Sequence, residues 1–289
     1  MPSSDEPFFQ TIAIAGLGLI GGSIALAVRE RWPSIRIIGV DHPSVLAHAT
    51  GSGAIDRSVA SVRDLDEPDL IILAAPVHQN IQLLNDLASI RAGLGRAIVT
   101  DVGGTKRDIV EAARNLRPSF AFVGGHPIGG AERGGFGFAR PDLFAGRPWI
   151  FTPDPTTPPQ AVATLERFAG GIGARTTRLD APEHDRLMAY LSHLPQLAAS
   201  AVMEVVGREA GTGFRLAGRG LVDTTRLASS PASVWKDICA SNADTIGQAL
   251  DLLIDRLTAL RADLTRGEKI EAIFDDAAHW RAELMKGRD

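Results

Sequence analysis

Gln10-Thr11-Ile12-Ala13-Ile14-Ala15-Gly16-Leu17-Gly18-Leu19-Ile20-Gly21 is the stretch whose reading decides the fold. The apolar run 10–15 predicts a buried strand, and residues 19–30, rich in alanine, leucine and isoleucine, predict a helix. Between them lies GxGxxG, which in a strand–turn–helix context is a dinucleotide fingerprint. Gly16 permits the tight turn, Gly18 lets a pyrophosphate reach the backbone, and Gly21 allows helix and strand to pack closely. The helix start at Leu19 and Ile20 points free N–H groups and a partial positive charge at the phosphates. Asp41 stands 20 residues after Gly21, at the end of a second apolar run, residues 35–40. Its carboxylate suits the adenosine ribose hydroxyls and repels a 2′-phosphate, which favours NAD over NADP. The neighbouring His42 and nearby Arg36 weaken that preference.

Outward from the fingerprint, further short apolar runs occur at 70–74, 97–100, 120–123 and 149–152, each flanked by turn or helix signals. A helix over 160–170 and a short strand over 175–179 complete the series. Strands alternating with helices predict parallel β-α-β units buried on both faces. From residue 181 the strand signal ends. Helical patterns cover 183–207, 243–266 and 270–285, the second carrying Ile246, Leu250, Leu253, Leu257 and Leu260 at helical spacing. The fold class is therefore α/β: a Rossmann-type dinucleotide-binding domain over 1–180, then an all-helical domain over 181–289.

With 289 residues, 45% hydrophobic and 22% charged, the chain has the balance of an ordinary globular protein. A net charge of -4 argues against nucleic-acid and membrane-surface binding, which need concentrated positive charge. Cys239 is the single cysteine and cannot form an internal disulfide. With no secretory signal and no long apolar span, the expected location is the cytoplasm. The seven histidines show no metal-ligand spacing, and no metal is expected.

Several segments carry candidate chemistry. Residues 123–135 place six glycines around His126, whose placement is constrained by Pro127; such a loop lets backbone approach something closely, though taken alone it could be only a turn. Leu73-Ala74-Ala75-Pro76 ends a strand where a nicotinamide ribose would lie, with His78 a surface residue beyond it. Asp101-Val102-Gly103-Gly104-Thr105-Lys106 has two readings: Asp101 or Thr105 caps the next helix, or Thr105 and Lys106 lie beside nicotinamide or substrate. Leu191-Ser192-His193-Leu194-Pro195-Gln196 interrupts a helix with a proline, often where a ligand sits; taken alone, His193 reads as a satisfied core histidine. In Asp223 to Trp235, Arg226 suits a carboxylate, or, on its own segment alone, is a surface arginine beside a loop.

Together these segments resemble the prephenate dehydrogenase family of tyrosine biosynthesis, through GLGLIGGS (16–23), DVGGTK (101–106), GGHPIGGAERGG (124–135), EHDRLMAYLSHLP (183–195), DTTRLASSPASVW (223–235) and Asn242. The resemblance implies NAD-dependent oxidative decarboxylation of prephenate to 4-hydroxyphenylpyruvate. It makes His126 the acceptor of the substrate hydroxyl's proton, Arg226 the ligand of a substrate carboxylate and His193 part of the substrate pocket. Cofactor contacts would come from Gly16, Gly18, Leu19, Ile20, Gly21, Asp41, Ala75, Pro76 and Asp101. Candidate substrate contacts are Thr105, Lys106, Glu132, Ser192, Gln196, Arg226 and Trp235. A homodimer through the helical domain is implied, with Trp235 reaching the neighbouring subunit's site.

Two departures stand out. Gly104 replaces a serine that in the family helps hold the catalytic histidine, and Thr105 is the adjacent hydroxyl that would substitute. Gln196 replaces a second histidine in SHLPH; it donates and accepts but carries no charge. These leave arogenate open as the substrate. They also keep open a non-catalytic NAD-sensing protein, and the helical second half keeps open a β-hydroxyacid or imine-reducing dehydrogenase. With no regulatory module expected after the helical domain, tyrosine feedback would act at the active site itself.

Overall fold

The computed structural model describes residues 8–90, 94–130 and 133–286. Contacts divide the chain into two units, Met1–Asn242 and Ala243–Asp289. The first unit is built on an eight-stranded sheet: β1 (Thr11–Ala15), β2 (Arg36–Val40), β3 (Arg57–Val59), β4 (Leu70–Leu73), β5 (Ile98–Asp101), β6 (Ala121–Pro127), β7 (Pro148–Thr152) and β8 (Arg175–Arg178). Their order is β3-β2-β1-β4-β5-β6-β7-β8. Every ladder is parallel except β6 with β7. The order reverses between β1 and β4, the switch point where dinucleotides bind in such sheets.

Side-chain alternation explains why both faces are covered. Ile12 and Ile14 point into one layer with Ile24 and Val28 of α1 (Leu19–Arg31) and Leu165 and Phe168 of α5 (Pro159–Gly171). Ala13, Ala15, Ile71, Leu73 and Val99 point into the other. There they meet Leu84 of α3 (Val77–Ala88) and Ile109 of α4 (Arg107–Leu116). Both α2 (Pro43–Gly51) and the edge strand β3 follow β2; neither was expected from the sequence, β3 being only three residues long.

After β8 every described element is helical, as expected: α6 (Ala181–Met188), α7 (Leu194–Ala210), α8 (Arg219–Thr225) and α9 (Ala232–Ser241) in the first unit, then α10 (Ala243–Ala262) and α11 (Glu268–Lys286) in the second. The residue pattern changes at 180, yet α6 to α9 belong to the unit that holds the sheet. The reason is local: Asp185 on α6 is bonded to the start of α4. The single helix expected over 183–207 is divided by a π-helical turn, Ala189–His193, and α7 restarts with Pro195 in its first turn. A proline's missing N–H costs little at a helix start, and an inserted π turn is a common device at functional sites.

The fingerprint glycines separate by task. Gly16 has φ +96°, and a Cβ there would lie 2.6 Å from the backbone of Ala74. At Gly21 a Cβ would stand 1.9 Å from the Gly16 carbonyl oxygen, whereas at Gly18 nothing lies within 4 Å. Gly21→Ala is therefore expected to destabilise the fold by about 1–3 kcal/mol or more, because a backbone atom must move. Gly18→Ala is expected to leave the melting temperature nearly unchanged. Thermal unfolding of the two variants checks this; equal losses would contradict it.

Candidate active site

His126 stands on a strand. β6 pairs with β5 as far as Val123, then its hydrogen bonds turn to antiparallel β7, with His126 opposite Ile150. This corrects the expectation of a glycine-rich loop. Pro127 disfavours helical conformations for the residue before it, so the strand continues through His126. Glycines precede it because the protein packs against itself: a Cβ at Gly124 would lie 2.3 Å from Thr152 Oγ1, and one at Gly125 2.6 Å from the Asp101 carbonyl oxygen.

Beneath the strand, Asp101 accepts from the Gly125 N–H (3.1 Å) and Gly103 N–H (2.8 Å) and pairs with the Lys106 ammonium. Lys106 Nζ also donates to the Gly125 carbonyl at 2.8 Å. Both side chains are fully buried. Asp101 and Lys106 were expected at cofactor and substrate; with no exposed atoms and with these partners, they join β5 to β6 instead. Burial pulls the Lys106 pKa down while Asp101 opposes it, and removing either partner alone would leave a buried charge uncompensated.

The hydrogen-bonding partner of His126 is His184. His126 Nδ1 lies 2.8 Å from His184 Nε2, and His184 Nδ1 lies 2.8 Å from Asp185 Oδ1. Asp185 also accepts from the N–H groups of Lys106 (2.7 Å) and Arg107 (2.9 Å) and from Arg107 Nε (3.3 Å). It thus satisfies the α4 N-terminus that one of the two readings of the sequence gave to Asp101 or Thr105. Burial alone would raise the Asp185 pKa, but the bonds from His184, Arg107 and Lys106 more than offset it and keep the carboxyl below the ordinary range. An ionised carboxylate only accepts, so His184 Nδ1 carries hydrogen and donates. His184 Nε2 then accepts from His126 Nδ1–H, and the lone pair of His126 is left on Nε2. Burial, followed by the fields of His184, Lys106 and His193, pushes His126 well below the usual 6.5. The result is a neutral acceptor at neutral pH.

Sequence reading gave His184 and Asp185 no role, although both lie in the quoted 183–195 segment. Among the other candidates, His193 is buried and meets the Trp235 ring edge-on at 5.9 Å. Trp235, partly exposed, thus contacts the candidate pocket of its own chain. The Thr105 hydroxyl, the proposed substitute for the missing serine, is 2.7 Å from Ser241 Oγ on α9. A Cβ at Gly104 would face Ile238 at 3.4 Å. Gln196 is buried and donates to the Leu227 carbonyl (2.7 Å) while accepting from Ser230 (3.1 Å). Its amide therefore brackets the short 3₁₀ turn Arg226–Ser229, on which Arg226 is exposed. Ser192 is half-buried on the π turn, and Glu132 lies outside the described residues.

At the other side of the switch point, Asp41 accepts from the Leu17 and His42 N–H groups, each at 2.6 Å. A cleft of about 740 Å³ adjoins it, lined by Asp41, Pro43, Leu46, Thr50, Val59 and Ala60 among others. Arg36 sits at the far end of β2 and donates to Thr11 Oγ1 at 3.2 Å, so it does not temper the Asp41 preference. In the β4–α3 turn the Ala75 N–H donates to Asn80 Oδ1 at 3.0 Å. Asn80 Nδ2 is buried without a partner among the described residues. Open space over Gly18, an apolar cleft and a carboxylate beside it fit a dinucleotide with an unphosphorylated adenosine ribose.

"Prephenate dehydrogenase, nucleotide-binding domain" matches residues 24–178, and "Prephenate dehydrogenase, dimerization domain" matches residues 180–275. The chain belongs to the prephenate dehydrogenase family. A prephenate dehydrogenase of Bacillus subtilis is 36% identical over 278 residues, covering 91% of this chain and 72% of that one. Among solved structures, prephenate dehydrogenase from A. aeolicus in complex with hydroxyphenyl propionate and NAD+ superposes with a TM-score of 0.87 at 28% identity, covering 95% of this chain and 98% of that one. Synechocystis arogenate dehydrogenase gives 0.77 at 26% identity, covering 94% and 99%. Within this prephenate dehydrogenase fold His126 is held through its contact to His184 and, beyond it, Asp185. His184→Ala is expected to lower kcat about tenfold or more, yet less than the ~10²–10⁴-fold attached to a general base itself. His184→Gln, which retains an acceptor, should recover part of the loss. Steady-state kinetics of both variants tests this; unchanged kcat in His184→Ala would refute it.

Proposed function

We propose that the chain oxidatively decarboxylates prephenate to 4-hydroxyphenylpyruvate with NAD, the step that serves tyrosine biosynthesis. The observation that carries this reading is the bare Nε2 of His126, set by Asp185 through His184 within a prephenate dehydrogenase fold. NAD, when bound along residues 16–21 with Asp41 on the adenosine ribose, supplies the hydride acceptor. His126 Nε2 takes the proton of the ring hydroxyl as the neighbouring C–H bond breaks. The ring carboxylate leaves as CO2, and aromatisation drives the step. Positive charge developing on His126 is balanced by the Asp185 carboxylate through His184, without Asp185 itself being protonated, as in other carboxylate–imidazole chains. Arg226 holds a substrate carboxylate through paired N–H contacts, on a turn braced by Gln196. His193, with Trp235 and Ser192 nearby in sequence or space, contributes to the pocket; residues 1–180 bind the cofactor and carry His126, and residues 181–289 supply the other substrate contacts.

Arogenate is the second reading, supported by the likeness to an arogenate dehydrogenase structure and by the uncharged Gln196. A cytoplasmic location fits this chemistry, and no helix of the described residues is long and apolar enough to cross a membrane. Homodimerisation is supported by the dimerization-domain match and by exposed apolar side chains such as Val205, Leu216 and Val222 in one unit and Phe274 and Trp280 in the other.

His126→Asn is expected to lower turnover ~10²–10⁴-fold while NAD binding, followed by titration, stays nearly unchanged. Because His126 stays neutral until well below pH 6.5, kcat/KM should be level from about pH 6.5 upward and fall only on the acid side. Absorbance of reduced nicotinamide with prephenate and then arogenate reads both; a flat trace with each would reject the assignment. Light scattering after size exclusion should give twice the 30.7 kDa chain mass, and a monomer at micromolar concentration would contradict the dimer.

A further inference from the structure

His193 meets a residue to which no role has been given. Asn242 follows α9 and is fully buried. Its Oδ1 accepts from Arg107 Nη2 at 2.9 Å, and its Nδ2 donates to the Asp185 backbone carbonyl at 2.8 Å. A guanidinium has no acceptor and a carbonyl has no hydrogen, so these two contacts fix which way the amide lies. Nδ2 therefore faces His193 Nδ1, at 3.4 Å. That contact is long for a hydrogen bond, but its polarity is settled. A hydrogen on His193 Nδ1 would point at an N–H group, whereas a lone pair there is attracted to it.

We propose that Asn242 is a positioning residue that keeps His193 in the Nε2–H form, so that the pocket holds one imidazole that accepts, His126, and one that donates, His193. The donor is matched to a carboxylate or keto oxygen of the substrate. This rests on the placement of His193 in the substrate pocket; the tautomer itself does not. Burial pushes the His193 pKa down to about 4, so the ring donates through one nitrogen only. The charged and titratable groups around it are Asp185 and His184 on α6, which act on it directly, and His126 on β6, which feels its field. Arg107 on α4 reaches it through the Asn242 amide, and the Trp235 ring on α9 contributes no charge. A neutral donor orders an anionic oxygen without adding a second positive charge beside the base.

Long-range ¹⁵N–¹H spectra of histidine side chains in the intact, substrate-free protein at neutral pH test the proposal directly. His193, assigned by its loss in His193→Gln, is expected to carry hydrogen on Nε2; hydrogen on Nδ1 overturns the proposal. That reading needs no turnover, so it stands or falls separately from the choice of substrate. Asn242→Asp places an acceptor where the donor was and draws a proton to Nδ1. The neutral ring then presents a lone pair to the substrate where the wild type presents an N–H. KM in this variant at neutral pH should rise roughly tenfold or more over wild type, the size of one charge-assisted hydrogen bond. kcat in the variant should change less than KM. A KM that tracks the wild type in a folded Asn242→Asp protein would overturn the proposal.

Discussion

A buried carboxylate must find donors, and Asp185 finds four: two backbone N–H groups at the start of α4, the Arg107 guanidinium and the His184 ring. One requirement thereby does three things. It satisfies N–H groups that α4 leaves open, it fixes α6 to the sheet-bearing unit, and it decides where hydrogen sits on two imidazoles in series. Catalytic polarity in this site follows from structural satisfaction. As the proposed base, His126 needs no charged neighbour of its own, because the carboxylate acts from one ring away.

The rest of the polar interior is arranged around the same point. Lys106, whose own backbone N–H binds Asp185, turns its ammonium to Asp101 and Gly125 and so holds the strand from which His126 projects. Arg107 binds Asp185 and also orients the Asn242 amide. Each buried charge has an opposite charge or oriented dipoles around it, as low-dielectric surroundings demand. Burial lowers the pKa of His126, His184 and His193 alike, which favours neutral rings over a cluster of mobile charges.

The strand–glycine–helix stretch was enough to read the fold, because hydrophobic period and turn chemistry are local. His126 and His193 were legible as candidates for the same reason: each sits in a locally distinctive sequence. Their partners were not. His184 is 58 residues from His126, and Asp185 is 79 from Lys106, so only the folded chain reveals who meets whom. Gly124 and Gly125 announced a close approach without saying to what, and the neighbours proved to be Thr152 and Asp101. Asp101 and Lys106 looked like ligand contacts because they end a strand at the cofactor edge; a short turn folds them inward instead. Gln196 showed a change in charge, but its part in bracing the Arg226 turn depends on a bond to Leu227 that spacing does not display.

Neutron diffraction from deuterium-exchanged crystals tests most directly the claim that Asp185, through His184, leaves a bare acceptor on His126. The account predicts deuterium on His126 Nδ1 and on His184 Nδ1, an unprotonated Asp185 and no deuterium on His126 Nε2 at neutral pH. Deuterium on His126 Nε2 with none on Nδ1, or a protonated Asp185, would contradict it.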